Sequence, residues 1–349
     1  RLATDQKVGS SNLLQRARTV VNFWVCNGFL FILNSAEDTI MIYTVTLNPA
    51  LDYVLYPDTL KTGSINNSTK EAVFCGGKGI NVSVMLKNLG VPSAALGFIA
   101  GFTGDEIEKR VKEKGIYTDF IRLKTGMSRI NVKLRTDTET DINSNGPAIP
   151  EEALKELYNK LDRLKSDDIL VLAGSIHKGL PSDTYEKLLR ITAKNNVRAV
   201  VDARGEVLTN TLKYKPFLIK PNFEELCEIF SVSSLSIKQA IGFAEELRKS
   251  GALNVMVSLG GKGAFLIDEY GEKHFCSAPS GKAVNTVGAG DSAVAGFIAA
   301  AAENKGYGYA LKSAVCAGSA TAFSEGLGSY ELVKGLENGV QSVTEECFI

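Results

Sequence analysis

The sequence is poor in histidine, and its cysteines form no recognisable pattern. Only His177 and His274 occur among 349 residues, so a catalytic centre or metal site built on histidine is poorly supplied. We expect both histidines at the surface or in packing. The six cysteines are scattered without a C-x-x-C pair, which argues against a metal cluster or a disulfide framework and favours a reducing, cytoplasmic setting.

The chain also lacks net charge, because 39 Lys and Arg residues balance 39 Asp and Glu residues. An extended basic field, which nucleic acids and acidic membranes require, is therefore not expected. We predict neither nucleic acid nor membrane as a partner. Local basic sites for a small anion remain compatible with this balance.

No apolar run has the length of a comfortable membrane span. The apolar stretch at residues 20–33 follows two arginines and is interrupted by two asparagines and a glycine. We interpret residues 1–40 as an N-terminal extension outside the fold, and a hydrophobic helix packed on the domain is the alternative.

Residues 41–349 alternate short apolar strands with amphipathic helices. Strands are predicted at residues 41–47, 94–99, 169–173, 199–203, 217–219 and 255–259. Helices are predicted at residues 78–89, 105–114, 151–164, 182–194 and 236–250. This alternation predicts a doubly wound, mainly parallel α/β sheet flanked by helices, with ligands at the carboxyl ends of the strands.

Two segments depart from that pattern. Residues 128–135 alternate strictly, with Ile130 and Val132 on an apolar face and Arg129 and Asn131 on a polar face. Such a strand is typical of a small antiparallel sheet. We predict a small β-sheet lid built from about residues 52–75 and 128–143.

A glycine-rich turn at residues 287–293 (VGAGDSA) precedes a small, apolar helical stretch. Unpaired amides at a helix start bind phosphate, and Asp291 is placed to take a proton from an attacking hydroxyl. A simple turn with an aspartate cap is the alternative. A dinucleotide fingerprint is disfavoured, because no apolar strand precedes the turn and no acidic residue follows about 20 positions on.

A second glycine cluster, residues 76–82 (GGKGINV), also precedes a predicted helix. It does not have the spacing of a P-loop. Its glycines let backbone approach a ligand, and Lys78 and Asn81 are able to bond hydroxyls or phosphate. A tight strand-to-helix turn is the alternative.

Four motifs together resemble the ribokinase-like PfkB family of carbohydrate kinases. They are residues 76–81 (GGKGIN), 220–225 (KPNFEE), 258–263 (SLGGKG) and 286–292 (TVGAGDS), and Asn285 stands where many members carry aspartate. The resemblance extends from Met41 to the end of the chain. It implies a ribokinase-like fold, ATP and Mg²⁺ as cofactors, and a small sugar substrate.

The resemblance also implies a role for each matched residue. Asp291 is expected to be the catalytic base, beside an anion hole formed by the amides of Gly288, Ala289 and Gly290. The residues expected to bind the sugar substrate are Asp52, Gly76, Gly77, Lys78, Asn81 and Arg129. Those expected at the nucleotide are Lys220, Asn222, Ser258, Gly260, Gly263 and Thr286, and Asn222 and Glu225 are expected to organise Mg²⁺ through water.

Residues 46–52, 129–133 and 139–143 are most similar to the subgroup that contains 1-phosphofructokinase and tagatose-6-phosphate kinase. A basic lid strand with Arg129 is able to clamp a phosphate on the substrate, although solvated charge on an exposed strand is the alternative. The resemblance implies phosphorylation of fructose 1-phosphate at its 6-hydroxyl, with tagatose 6-phosphate as the alternative substrate. A nicotinamide-dependent oxidoreductase and a non-catalytic sugar-phosphate sensor are the remaining alternatives. Since lids of this family often pair between subunits, a homodimer is expected.

Overall fold

The computed structural model describes residues 40–137, 139–340 and 342–348, together with the backbone of two short strands nearer the N-terminus. The chain divides into two units, Arg1–Ile40 and Met41–Ile349. In the first, β1 (Asn22–Cys26) and β2 (Phe29–Leu33) pair as an antiparallel hairpin. This backbone differs from the hydrophobic helix considered above, and the rest of the predicted extension lies outside the described residues.

The second unit contains two sheets. Its strands are β3 (Ile42–Thr46), β4 (Ala50–Pro57), β5 (Ser68–Gly76), β6 (Ser93–Ala100), β7 (Tyr117–Thr118), β8 (Ile121–Leu123), β9 (Arg129–Arg135), β10 (Glu139–Ile142), β11 (Ile169–Ala173), β12 (Arg198–Asp202), β13 (Leu218–Ile219), β14 (Asn254–Ser258), β15 (Ala264–Ile267), β16 (Lys273–Cys276) and β17 (Ser342–Val343). Its helices are α1 (Lys78–Asn88), α2 (Gly101–Glu113), α3 (Glu151–Leu161), α4 (Thr184–Ala193), α5 (Gly205–Thr209), α6 (Phe223–Ile229), α7 (Ile237–Lys249), α8 (Ala289–Ala302), α9 (Tyr307–Ala322), α10 (Tyr330–Gly339) and α11 (Glu345–Phe348).

The large sheet has the strand order β17-β16-β15-β14-β13-β12-β11-β3-β6-β7, and β8 also pairs with β6. Pairing is parallel from β7 to β14 and antiparallel from β14 to β17. The expectation of a doubly wound, mainly parallel sheet flanked by helices is confirmed. The chain passes from β3 to β6 on one side and then to β11 on the other, which creates a switch point at the carboxyl ends of these strands.

Burial explains why these segments form strands and helices. Every residue of β6 and β11 is buried, as expected for parallel strands that are covered on both faces. Helix α7 buries one stripe, Ala240, Ile241, Ala244 and Leu247, and begins with a capping box between Ser236 and Gln239.

Helix α2 begins at Gly101, four residues before the predicted start. No side chain caps its first turn; instead, the Thr103 hydroxyl donates to the Ser128 carbonyl at 2.8 Å. The Ser128 hydroxyl in turn accepts from the Ala100 amide at 3.0 Å. Because Ser128 is remote in sequence from residues 100–103, the local sequence pattern did not reveal that α2 begins at Gly101.

The small sheet has the order β10-β9-β4-β5. Its outer pairs are antiparallel, as the alternating pattern of residues 128–135 indicated, but its central pair, β4 and β9, is parallel. The chain returns to β9 through α1, β6 and α2, and a crossover of this kind brings it back in the same direction. One face of the sheet, with Leu51 and Ile130, packs against apolar residues of α1 and α2.

Helices α8 and α9 lie unusually close together. A Cβ added at Gly296 of α8 would lie 2.5 Å from the Ser313 carbonyl oxygen of α9. A Cβ added at Gly318 of α9 would lie 3.1 Å from the Ala289 carbonyl oxygen of α8. The two backbones therefore touch at both points. Among the described residues, no helix combines the length and apolarity needed to cross a membrane.

Candidate active site

A cavity of about 1160 Å³ opens where the carboxyl ends of the central strands meet the small sheet. With one exception, every site residue predicted from the sequence lines it. The exception is Gly76, which leaves room for the Asp52 side chain, because a Cβ at position 76 would lie 2.7 Å from the Asp52 carboxylate.

Asp291 lies in the first turn of α8, at the floor of this cavity. It is only 5% exposed, and Asn81 Nδ2 donates to its Oδ2 at 2.8 Å. Burial raises the pKa of Asp291 to about 6, and the nearby Asp202 adds to the rise, against the opposing effect of Lys78. A carboxylate of this kind is ionised at neutral pH and more basic than usual, which suits a general base.

The turn before Asp291 depends on glycine. Gly288 has φ 81°, and in the described part of the chain no side-chain cap accepts hydrogen bonds from the first turn of α8. The Ala289 amide donates to the Thr286 carbonyl at 3.2 Å, a long hydrogen bond within the turn. Asn285, which departs from the motif, accepts from the Val287 amide at 3.0 Å and so shapes the same turn.

Two lysines meet a buried carboxylate beside this turn. Asp202 ends β12 and is 1% exposed; its oxygens lie 3.0 Å from Lys78 Nζ and 3.4 Å from Lys220 Nζ. Burial acts to raise the pKa of Asp202, but the two lysines outweigh it and the pKa is lowered. Asp202 was not among the site residues predicted from the sequence, although a carboxylate at the end of a buried parallel strand indicates a ligand site.

The polar face of the small sheet forms the opposite wall. Arg129 Nε donates to the Asn48 carbonyl at 3.1 Å, and Asn131 Nδ2 donates to Asp52 Oδ1 at 2.8 Å. Burial lowers the pKa of Arg129, with Asp52 opposing. Arg129 and Lys78, both expected to hold phosphate, are thus held by different partners. Asn131 lines the cavity and was not selected from the sequence.

Asn222 and Glu225 form a capping box at the start of α6. The Glu225 amide donates to Asn222 Oδ1 at 2.7 Å, and Glu225 Oε2 accepts from the Asn222 amide at 2.9 Å. Glu225 Oε1 accepts from Arg204 Nε at 2.8 Å. Both oxygens of Glu225 are therefore engaged. Within the described ranges, no three His, Cys, Asp or Glu side chains are grouped to hold a metal ion.

The remaining wall is made of turns and small residues. Ser258 forms a parallel bridge with Asn222 and ends β14, after which Gly260 has φ 57°. Gly263 has φ 104°, and a Cβ there would lie 2.1 Å from the Cys276 carbonyl oxygen, so glycine is required. The cavity lining also includes a group of small and apolar residues, here named the apolar slot: Ala283, Ala314, Val315, Gly318, Ala322 and Phe323.

The model of the pfkB family of carbohydrate kinases matches residues 45–332. The chain belongs to this family. It is 45% identical to a protein named 1-phosphofructokinase from Bacillus subtilis (strain 168), over 85% of this chain and 97% of that protein. It is 39% identical to a D-tagatose-1-phosphate kinase from Bacillus licheniformis, over 82% of this chain and 94% of the relative. The crystal structure of Escherichia coli phosphofructokinase-2 in complex with fructose-6-phosphate has a TM-score of 0.80 at 26% identity, over 86% and 99% of the two chains.

In this pfkB-family chain the histidines lie away from the cavity walls. His177 is 7% exposed, and its Nδ1 accepts from the Gly179 amide at 2.9 Å. His274 Nε2 lies 2.8 Å from Asp268 Oδ2. Neither residue lines the cavity, and the five cysteines within the described part of the chain are free.

Proposed function

We propose that this carbohydrate kinase transfers the γ-phosphoryl group of ATP to the 6-hydroxyl of fructose 1-phosphate, giving fructose 1,6-bisphosphate. The observation that carries the proposal is the buried Asp291 carboxylate, with its raised pKa, at the uncapped start of α8 inside the large cavity. The 45% identity to a protein named 1-phosphofructokinase supports the choice of sugar.

In the proposed reaction Asp291 accepts the proton of the 6-hydroxyl while the hydroxyl oxygen forms a bond to the γ-phosphorus. The bond from that phosphorus to the β–γ bridging oxygen breaks, and ADP leaves with the electron pair. The amides of Gly288, Ala289 and Gly290 and the positive end of α8 would stabilise the negative charge on the transferred group. Positioning and charge stabilisation supply most of the rate in phosphoryl transfer.

We assign the sugar to the wall formed by the small sheet. Arg129 has one N–H engaged with Asn48, which leaves the rest of its fork for a phosphate on the sugar. Asp52, fixed by Asn131, would accept hydrogen bonds from ring hydroxyls. Asn81, which is hydrogen-bonded to Asp291, and Lys78 also line the cavity and would contact the sugar phosphate. We further propose that the small sheet acts as a lid and that the protein forms a homodimer.

We assign the nucleotide to the wall with Ser258, Gly260, Gly263 and Thr286, where the apolar slot would receive the base. Because both Glu225 oxygens are engaged, the residues fit a hydrated Mg²⁺ bound to the phosphates, with Asn222 and Glu225 near its waters. When bound, the ion would neutralise phosphate charge. Lys220 lies beside Gly290 and would contact the transferred group.

A tagatose phosphate is the second candidate substrate, because one relative at 39% identity is named D-tagatose-1-phosphate kinase. The two ketohexoses differ at a single hydroxyl. The same Asp291 chemistry would serve either sugar, so the distinction depends on the sugar wall.

Measuring ADP release with a panel of sugars tests the proposal. The panel comprises fructose 1-phosphate, tagatose 1-phosphate, fructose 6-phosphate, tagatose 6-phosphate and ribose. We expect the highest kcat/KM with fructose 1-phosphate and a bisphosphate product in ³¹P NMR. A higher kcat/KM with tagatose 1-phosphate would make that sugar, and not fructose 1-phosphate, the substrate. No turnover with any sugar would favour a non-catalytic sensor.

A further inference from the structure

Arg204 is an arginine of the cavity wall that no sequence motif selected. It follows Asp202 by two residues and stands immediately before α5. Its side chain is 67% exposed and lines the cavity. Among the residues that the structure describes, Glu225 is its only hydrogen-bond partner.

That one contact fixes the direction of the guanidinium group. Glu225 is 3% exposed and is itself held by the capping box at the start of α6. Because only Nε of Arg204 is engaged, both terminal nitrogens of the fork keep their four N–H donors. A planar, pre-oriented fork of this kind suits bidentate recognition of a phosphate.

The position of Arg204 favours the nucleotide over the sugar. Its anchor Glu225 is three residues from Asn222, which bridges to Ser258 at the nucleotide wall. Arg129 and Asp52, assigned to the sugar, lie on the small sheet that forms the opposite wall.

The charges of the neighbouring residues also favour a role for Arg204 at the nucleotide. Lys78 and Lys220 both lie against Asp202, which offsets part of their positive charge. Arg204 is also paired, but its partner carboxylate is buried while its own fork is open to the cavity. The terminal phosphates of a nucleotide carry several negative charges, which a charged donor that is open to the same cavity would offset.

We propose that Arg204 binds the β- and γ-phosphates of the nucleotide, held in place for this by Glu225. The inference rests on the proposed function, since it takes the cavity to bind a nucleoside triphosphate. It adds to the pfkB-family motifs a nucleotide-binding residue that lies outside all four of them.

Isothermal titration with ADP and with AMP, in the absence of sugar, tests this role. The variant Arg204→Gln keeps an amide donor for Glu225 and removes the charged fork. We expect about 10- to 100-fold weaker binding of ADP and unchanged binding of AMP, which lacks the β-phosphate. In turnover assays KM for ATP should rise and KM for the sugar phosphate should stay unchanged. Arg204→Lys, which keeps charge without the fork, should restore only part of the ADP affinity.

Arg163→Gln is the matched control, since Arg163 is exposed and lies outside the cavity lining. A lower melting temperature of Arg204→Gln with unchanged ADP affinity would show a purely structural role and overturn the proposal. Equal losses for AMP and ADP, or a rise confined to KM for the sugar, would also overturn it. A wild-type protein that binds no ADP would instead refute the nucleotide assignment itself. Failure on every sugar with ADP binding intact would refute only the proposed reaction.

Discussion

The floor and the sheet-formed wall of the cavity are built in different ways. The floor is made of consecutive residues at the start of α8, with a buried carboxylate and main-chain amides. The wall is made of side chains from β4 and β9, which are far apart in sequence and meet as a parallel pair. In the proposed assignment, the transfer chemistry depends on one carboxylate and the main-chain amides of a single short segment, whereas sugar recognition depends on side chains that two distant strands bring together. Substitutions in the two regions should therefore alter different kinetic constants.

The largest effect is expected from Asp291→Asn on the floor. The amide keeps the size of the side chain but cannot accept the hydroxyl proton, so kcat should fall about 10²–10⁴-fold with little change in KM. Steady-state kinetics with ATP and fructose 1-phosphate would measure this. Unchanged turnover would remove Asp291 from its assigned role.

Gly288→Ala tests whether the floor depends on backbone geometry. A side chain at φ 81° strains the backbone of the turn, and the new Cβ would also lie 2.7 Å from Leu327 Cδ2, so the turn or the Leu327 side chain must shift. We expect kcat to fall about 10- to 100-fold, less than the ~10²–10³ that follows loss of a whole oxyanion donor. Gly306→Ala is the control, because Gly306 has φ 82° and nothing within 4 Å. It should lower stability by about 1–3 kcal/mol and leave kcat unchanged. Equal kinetic effects of the two variants would refute the assignment.

Arg129→Ala tests the wall. Loss of charge-assisted bonds to the sugar phosphate should raise its KM about 10- to 100-fold and leave KM for ATP unchanged. Arg135→Ala is the matched control, since Arg135 lies on the same strand and pairs with Asp141. An effect of Arg129→Ala that was confined to ATP would contradict the division between the two walls.

Asn131→Ala should have a smaller effect on the same wall. Asp52 would lose its 2.8 Å donor, and KM for the sugar phosphate should rise about 5- to 10-fold with unchanged kcat. Thr140→Ala on the neighbouring β10 is exposed and serves as the control. If kcat falls and KM does not rise, Asn131 does not act through the sugar.

The smallest effect is a shift in pH dependence. With the pKa of Asp291 at about 6, kcat/KM should fall as the pH drops through that value, because the base becomes protonated. Asp202→Asn removes a negative neighbour, so the acid limb should move to lower pH. Since sugar phosphates also titrate near pH 6, the readout is the difference between variant and wild type. Asp268→Asn, a buried carboxylate away from the cavity lining, should leave the limb in place.

The same contrast explains what sequence reasoning could reach. The floor residues are contiguous, so the motif at residues 286–292 predicted them, and the periodic strands and helices predicted the sheet. Asp202, Asn131 and Arg204 were missed because their partners lie far away in the chain: Lys78, Asp52 and Glu225. The parallel pairing of β4 and β9 was missed for the same reason. Local patterns carry periodicity and turns, but not which distant side chains meet.

The close approach of α8 and α9 has a consequence for motion. Glycines at both contact points leave no compressible side chain between the two backbones, so neither helix can slide along the other without a clash. Helix α8 carries Asp291 and α9 supplies part of the apolar slot, so the proposed base and the proposed nucleotide site would move together. We therefore expect any closure of the cavity around two bound reactants to come from the four-stranded sheet, the proposed lid, rather than from α8 or α9. In that case the floor would stay rigid while one wall of the cavity moved.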